Sequence, residues 1–401
     1  MGFKQFVGLI AALMAINALA IDSMLPALPQ IASSVGISSG NGQQWIVTAY
    51  LLGFGVAQIV YGPLADRFGR KRPLLVGLVI YVVFSIIAAS ATSFEMLLFA
   101  RVLQGVGSAA TRVLAVSIVR DSYAGSQMAR VMSLAFIVFL AVPILAPSIG
   151  QLIMLVVPWR GIFGALALFG AIVITWTVIK LPETLHPGDR LPIEVGRITK
   201  AFRVTVTTRS AIGYMLAMTC MLGGLFGFIN SAQQIFADVF HQPKLFTVIF
   251  AGIAGFMALA SLVNARVVGR LGTRPVSHSA LVFYISAALL HVLVASLGFE
   301  TIWSFAVFQA AMLFGFGLVV SNFGALAMEP LGHIAGTASS VQGFVSTAGG
   351  ALLGFYVGQH FNGTTVPLAL GFFCYGLVAL LLVIWAERGR LFRRAGGSKL
   401  M

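Results

Sequence analysis

Twelve long apolar segments are the feature of this chain that most constrains its fold. A membrane-spanning helix needs roughly 20 predominantly apolar residues. The strands of a membrane β-barrel are instead short and alternate in hydrophobicity. We therefore predict an all-α integral membrane protein with twelve transmembrane helices. The segments lie at about 5–31, 44–65, 73–92, 95–119, 130–156, 160–180, 211–233, 245–266, 276–297, 302–326, 336–359 and 366–386.

Composition excludes several classes of protein. Charged residues make up 9% of the 401 residues, against about 25% in soluble domains, so a soluble enzyme or a DNA-binding protein is excluded. Cys220 and Cys374 lie within apolar segments, which argues against a disulfide framework or a metal site. The sequence has no phosphate-binding loop, zinc-ligand cluster or nucleophile–base motif. We predict that the chain is not an enzyme, has no cofactor and draws on a proton gradient.

The basic residues indicate an orientation. The chain has 25 lysines and arginines against 11 acids, a formal net charge of +14. Most of the basic residues fall in alternate loops and in the C-terminal tail, and this asymmetry marks the cytoplasmic side. We predict a multi-pass protein of the cell inner membrane with both termini in the cytoplasm. The positive charge is then a topology signal and a contact for anionic membrane lipid, with no nucleic-acid partner.

A polar central stretch and a short repeat divide the chain into halves. The motif Arg-Phe-Gly-Arg-Lys at 67–71 recurs as Arg-Leu-Gly-Thr-Arg at 270–274, after the second helix of each half. Transporters built from two parallel six-helix repeats bind substrate between them near the membrane midplane. We predict four parts: an N-terminal six-helix bundle (1–180), a cytoplasmic central loop (181–210), a C-terminal six-helix bundle (211–386) and a basic cytoplasmic tail (387–401).

Several motifs resemble one transporter family. The stretch Gly-Pro-Leu-Ala-Asp-Arg-Phe-Gly-Arg-Lys-Arg, residues 62–72, resembles the signature loop of the major facilitator superfamily. The segments 22–29, 101–107, 142–151 and 333–340 resemble the Bcr/CflA branch of its drug:proton antiporters. The resemblance implies two pseudo-symmetric bundles that work by alternating access. It also implies proton-coupled efflux of small lipophilic drugs, and therefore antibiotic resistance.

Substrate and partners follow only from this resemblance. We name phenicols and lipophilic cations as substrate classes, and we expect a monomer. The second-half loop has Gly269 where the first has Asp66, which suggests a conformational latch in the first half only. An exporter or proton symporter of a sugar or another small metabolite is the alternative within transport. A channel is the alternative of another class, disfavoured by the two-half design and by the lack of a charged ring.

One acid and one arginine within the membrane are the candidate proton-coupling residues. Asp22 in the first segment and Arg101 in the fourth lie about 12–13 Å from the same membrane face at 1.5 Å per residue. Charged groups inside a membrane are costly, which makes a functional role their default interpretation. We predict that Asp22 carries the proton and that Arg101 tunes its charge. A static ion pair that locks the two helices is the alternative.

Polar and aromatic stripes give the candidate substrate-binding residues. At helical spacing such a stripe faces protein or water, and ligand sites are mostly apolar with a few polar groups. Simple packing is the alternative, and core filling is the stronger interpretation for methionine. The candidates are Tyr50, Phe54, Gln58 and Tyr61 in the second segment, Gln104, Ser108 and Arg112 in the fourth, and Met218, Asn230 and Gln233 in the seventh.

The signature loop and the fifth helix give the candidate conformational gate. We predict that Asp66 lies against the N-terminus of the eleventh helix near Gly336, where the helix dipole favours an anion, and that Arg70 pairs with Asp121. A loop that only sets topology is the alternative. Pro143, Pro147 and Gly150 in the fifth helix, like the glycines at 350, 354 and 358, fit a bendable seam or simple close packing. The gate set is Gly62, Asp66, Arg67, Gly69, Arg70, Asp121, Pro143, Pro147 and Gly150.

Overall fold

The computed structural model describes residues 1–37, 40–192 and 195–393. Over these residues the chain is all-α and shows no strand, as predicted. The helices are α1 (Phe3–Asp22), α2 (Leu28–Ser34), α3 (Gln44–Phe68), α4 (Lys71–Ala89), α5 (Phe94–Ser122), α6 (Gly125–Met154), α7 (Arg160–Lys180), α8 (Val195–Thr207), α9 (Arg209–Gln234), α10 (Phe246–Leu271), α11 (Thr273–Ser296), α12 (Ile302–Met328), α13 (Ala335–Gln359) and α14 (Val366–Ala386).

Eleven helical segments in the described part of the chain are long and apolar enough to cross a membrane, with α1 and α2 counted as one. The remaining predicted segment is α13, which has 25 residues and is rich in Gly, Ser and Thr. It packs extensively against both α9 and α3. Close packing between helices favours small residues, which accounts for its lower apolarity.

The structure refines two of the predicted segments. The first segment is not one continuous helix, because α1 ends at Asp22 and a 3₁₀ turn (Leu25–Ala27) separates it from α2. A proline ring clashes with the carbonyl four residues earlier, and for Pro26 that carbonyl belongs to Asp22. In the central stretch, α8 is helical, with Ala201 and Thr205 buried on one face. The tail beyond Arg393 lies outside the described residues.

Helix packing repeats in the two parts of the sequence. The pairs α1–α6, α3–α5 and α4–α7 among the first helices correspond to α9–α13, α10–α12 and α11–α14 among the later ones. Helices of the two sets also meet in two equivalent pairs, α3 with α13 and α6 with α10. This pattern is that of two structural repeats related by a pseudo-twofold axis. We call α1–α7 the first helix set and α9–α14 the second.

A glycine turn marks the same end of both helix sets. Gly69 joins α3 to α4 and Gly272 joins α10 to α11, both with φ of 90°. This region of backbone conformation is readily open only to glycine, so the repeated motif encodes a repeated turn. We call this end, which carries the basic loops, the basic end, and the other the opposite end.

Candidate transport site and gates

Asp22 is a buried acid at a helix break. It is the last residue of α1 and is 5% exposed. Within the described residues its carboxylate has no hydrogen bond and no ion pair closer than 4.0 Å. An unpaired charge is costly away from water, so a buried carboxyl group without a partner is suited to bind a proton.

Arg101 holds the broken end of α1. Its guanidinium is fully buried and donates to the carbonyl of Ala20 at 3.1 Å and to that of Ile46 at 3.0 Å. It also donates to Oε1 of Gln104 at 2.6 Å and lies 4.4 Å from the centre of the Tyr50 ring. The last carbonyls of a helix lack partners within the helix, and a cation there is favourable. Arg101 therefore caps α1 two residues before Asp22.

No ion pair joins Asp22 to Arg101 in this conformation, so the alternative interpretation, a static pair that locks the two helices, is not what the structure shows. The partners of Arg101 are two carbonyls, one amide and two aromatic rings, those of Tyr50 and Phe163. Sequence spacing placed both residues at one depth, and in the structure Arg101 bonds to Ala20, two residues before Asp22. The spacing did not predict that the break at Pro26 would expose carbonyl groups that compete for the guanidinium.

The candidate polar residues of α5 lie in two different environments. Gln104 donates to Ser85 at 2.7 Å, and the Tyr50 hydroxyl donates to Ser108 at 2.7 Å. These groups are fully buried and use their polar atoms on protein partners, so here they support Arg101 and do not line a substrate cavity. Arg112, in contrast, is exposed ten residues before the end of α5, with its guanidinium 6.0 Å from the Phe139 ring of α6.

The candidate residues of α3 contact both the first helix set and α13 of the second set. Phe54 stacks parallel to Tyr50 with ring centres 6.3 Å apart, and Tyr61 is 5% exposed. Gln58 donates across to Thr347 of α13 at 3.3 Å. The stripe thus passes from the interior of the first helix set to the contact between the two sets.

The α9 candidates face the first helix set. Asn230 donates to Thr48 of α3 at 3.4 Å, and its own Oδ1 is buried without a partner. Gln233 accepts a 3.4 Å bond from Gln43. Met218 is the exception, with its sulfur 3.8 Å from Nε2 of Gln342 in α13. Gln233 therefore belongs to the closure at the opposite end, and Asn230 makes a further bond between the helix sets.

That closure is a layer of amide side chains, which we call the amide seal: Asn41, Gln43, Gln44, Gln233, Gln234 and Gln359. Gln44 is fully buried and donates to Gln234 at 2.8 Å and to the carbonyl of Gly358 at 2.9 Å. Gln359 donates to the carbonyl of Asn41 at 2.9 Å. These bonds join α3 to α9 and α13, so the two helix sets are closed against each other at the opposite end.

Sequence reasoning missed most of the amide seal. The available signal was the pair of double glutamines, Gln43-Gln44 and Gln233-Gln234, each at the end of an apolar segment. A separate hydrogen bond between the two helix sets at this end is donated by Thr247 of α10 to Gln151 of α6, at 2.8 Å.

An arginine at the basic end of the first helix set joins two acids. Arg70 donates through Nη1 to Asp66 and through Nε to Asp121, at 2.7 and 2.8 Å. The predicted contact between Arg70 and Asp121 is thus present. Burial lowers the pKa of the Arg70 guanidinium, but the hydrogen bonds to both acids raise it by more. The net effect is a raised pKa, so this charge is permanent.

Asp66 does not make its predicted contact. Among the described residues its carboxylate accepts from Arg70 and from no backbone N–H of α13. The motif approaches that helix at Gly62, where an added Cβ would lie 2.7 Å from the hydroxyl oxygen of Ser340. Arg67, the residue after Asp66, is exposed. The loop is thus bound within the first helix set and only touches α13.

The second helix set carries an equivalent cluster, contrary to the expected one-sided latch. Arg274 donates to Glu387 at 2.7 Å and to Glu329 at 2.9 Å. Burial raises the pKa of Glu387, but hydrogen bonds from Arg274 and Tyr214 lower it by more, so its pKa is below the ordinary value. In the first set Glu183, after α7, takes the place of Glu387 and accepts from the backbone N–H of Arg70 at 2.7 Å.

The predicted seam residues of the first helix set all lie within α6. The helix continues through Pro143 and Pro147. Gly150 lies against the carbonyl of Ser23, the residue that follows Asp22. In α13, the equivalent helix, Gly354 lies against α9 and Gly358 against Gln44 of α3. In the first helix set a glycine of α6 thus packs closely against the break that follows α1. In the second set a glycine of α13 packs closely against the amide seal.

Known proteins share this sequence and architecture. Residues 10–354 match the family model of the Major Facilitator Superfamily. An uncharacterized MFS-type transporter, YdgK, of Bacillus subtilis is 28% identical over 96% of this chain and 95% of its own. A bicyclomycin resistance protein homolog of Haemophilus influenzae is 29% identical over 87% of both chains. The multidrug resistance protein MdtL of Salmonella heidelberg is 27% identical over 87% of both.

A solved structure has the same fold. The crystal structure of the human organic anion transporter MFSD10 covers 96% of this chain and all of its own with a TM-score of 0.65, at 19% identity. The family match spans most of the sequence, and the relatives fit the resemblance to the Bcr/CflA branch. This chain is a multi-pass membrane transporter that belongs to the major facilitator superfamily.

Proposed function

We propose that the protein exports small, largely apolar drug-like compounds in exchange for protons, by alternating access. The observation that carries the proposal is Asp22, a buried carboxyl group that has no partner in the described part of the chain and lies at the broken end of α1. A group that binds a proton in one conformation and releases it in another couples the proton gradient to the motion of the helix sets. The drug-resistance names of two relatives support efflux as the direction.

Arg101 and Gly150 are the residues that would connect this proton to movement. Arg101 fixes the end of α1 through the carbonyl of Ala20, and α6 contacts the next turn at Gly150. A shift of α6 against α10 would therefore change the surroundings of Asp22. In this proposal Arg101 positions the acid and does not form an ion pair with it.

Arg112, an exposed residue of α5, and Met218 are the candidates that remain for the cavity wall. Phenicols and lipophilic cations are the proposed substrate classes, and Asp22 is the acid available to balance a cation. The basic loops support a cytoplasmic basic end, with the amide seal at the outer face of a bacterial inner membrane and a monomer as the working unit.

Proteoliposomes that contain a pH dye test the proposal. A panel of phenicols, cationic dyes and sugars is added across an imposed proton gradient to wild type, Asp22→Asn and the matched control Asp238→Asn, an exposed acid at the opposite end. We expect substrate-evoked proton movement in wild type and in the control, and its loss in Asp22→Asn with substrate binding retained. Coupled transport that survives in Asp22→Asn would disprove the assignment. A response to sugars alone would replace drug efflux by metabolite transport.

A further inference from the structure

A second pair of ionisable groups is buried in the second helix set. Nε2 of His291, in α11, lies 2.6 Å from Oε1 of Glu300, in the loop that leads to α12. The His291 side chain is fully buried and that of Glu300 is 7% exposed. The other carboxylate oxygen of Glu300 accepts from the hydroxyl of Thr365, immediately before α14. The pair therefore ties α11, α12 and α14 together at the opposite end.

Apolar groups provide the rest of the surroundings. Phe308 of α12 stacks on the His291 ring at 5.2 Å, and Phe305 meets it edge-on at 5.8 Å. On the α14 side, Thr365, the residue immediately before the helix, donates its hydroxyl to Glu300. No charged side chain of α10, the third helix against α11, bonds to the ring among the described residues. Glu300 is the charged group that these elements place on His291.

The imidazole has one open position. Nδ1 of His291 is buried and has no partner within the described residues. With Nε2–H donated to the Glu300 carboxylate, Nδ1 presents a free lone pair and the pair carries one negative charge. A proton that binds at Nδ1 forms one N–H bond, breaks none and leaves an imidazolium–carboxylate pair with no net charge. Burial in apolar surroundings favours the form without net charge.

We propose that His291, paired with Glu300, is a second proton-binding site at the opposite end. It belongs to the second helix set, whereas Asp22 belongs to the first, and it does not depend on proton coupling at Asp22. The site binds a proton at Nδ1 and stabilises the junction of α11, the following loop and α14. With the opposite end outside the cell, it would respond to the external pH.

Imidazole NMR on the whole protein tests the site directly. The chain is labelled with ¹⁵N-histidine in lipid nanodiscs and studied as wild type, His291→Gln, Glu300→Gln and the control His360→Gln, an exposed histidine at the same end. Spectra are recorded between about pH 8 and pH 5, and in wild type we expect the ring signal of His291 to change from neutral to cationic as the pH falls. This signal should be absent from His291→Gln and present in His360→Gln. In Glu300→Gln the ring should stay neutral throughout, because the compensating charge is gone.

Two results would overturn the site. One is a His291 signal that does not change over this range in wild type, and the other is a Glu300→Gln protein whose His291 titrates as before. If His291→Gln does not fold, the signal is assigned by replacing the other five histidines one at a time. Transport at varied external pH gives a separate readout: Glu300→Gln should lose the pH response and keep proton coupling, whereas Asp22→Asn should lose coupling and keep the NMR titration.

Discussion

Gly150 of α6 lies directly against the main-chain carbonyl of Ser23, so that a Cβ at position 150 would overlap the carbonyl oxygen. The contact places α6 on the turn that follows Asp22, at the break of the first membrane segment. Backbone cannot yield as a flexible side chain can, so even one methyl group must displace one of the two elements.

We therefore expect Gly150→Ala to slow transport strongly and to lower the free energy of unfolding by about 1–3 kcal/mol, the usual cost of overpacking. Thermal unfolding in detergent and transport in proteoliposomes measure the two effects. The matched control is Gly252→Ala in α10, where no atom lies within 4 Å of the added Cβ. Equal behaviour of the two variants would mean that the contact with Ser23 is not needed.

Loss of a central amide should weaken the closure at the opposite end. Gln44→Leu removes two bonds between the helix sets, of 2.8 and 2.9 Å. An unmade bond to a buried partner costs about 1–3 kcal/mol, so the population open at this end should rise at least about fivefold. Alkylation of Thr48→Cys, in a chain with Cys220 and Cys374 replaced by Ala, reports this opening. Gln43→Leu removes one long bond of 3.4 Å and should have a smaller effect; a larger one would contradict the assignment.

The Arg70 cluster should affect the rate of transport and leave substrate binding unchanged. Arg70 reaches Asp66 and Asp121 with different nitrogen atoms, which the single ammonium group of lysine cannot reproduce. Arg70→Lys and Asp66→Asn should both reduce transport several-fold, with drug binding and membrane insertion intact. The control is Arg67→Lys, at an exposed position of the same loop. Loss of binding together with transport would show that the loop is not a gate.

Glu387 should make stability depend on pH in the acid range. Its pKa is lowered from the ordinary 4.5 because Arg274 and Tyr214 donate to the charged form. A lowered pKa in the folded state adds stability above the unfolded pKa, and this stability is lost as the pH falls through the folded pKa. The melting temperature of Glu387→Gln should thus lie below that of wild type at pH 7, and the difference should shrink as the pH falls below 4.5 and vanish below the lowered pKa of the folded state.

The control for this prediction is Glu329→Gln, which removes the other partner of Arg274. The Glu329 side chain is 54% exposed, against 11% for Glu387, and exposed ion pairs contribute little stability. Its melting temperature should change less at every pH. A pH-independent loss in Glu387→Gln would indicate a packing role for that side chain.

Local sequence features predicted the architecture and one contact of the gate. Apolar length gave the spanning segments, and the repeated Arg-x-Gly motif gave the turns at Gly69 and Gly272. The pairing of Arg70 with Asp121 followed from motif position. Pro26 in the local sequence also indicates the helix break at Asp22. The prediction missed this break because it considered only the apolar length of the segment.

The sequence by itself determined the all-α membrane fold and its two repeats, because the requirement to satisfy the backbone within lipid acts on each segment separately. Only the tertiary structure decided which polar side chains meet. Gln43 and Gln233 are 190 residues apart and Asn41 and Gln359 are 318 apart, and nothing local to either residue specifies its partner. Arg101 likewise bonds to the carbonyl of Ala20, which has no partner within α1 because the helix ends at Asp22, and to the carbonyl of Ile46 in α3. Buried polar groups must find partners, and the packing of the helices determines which partners are within reach.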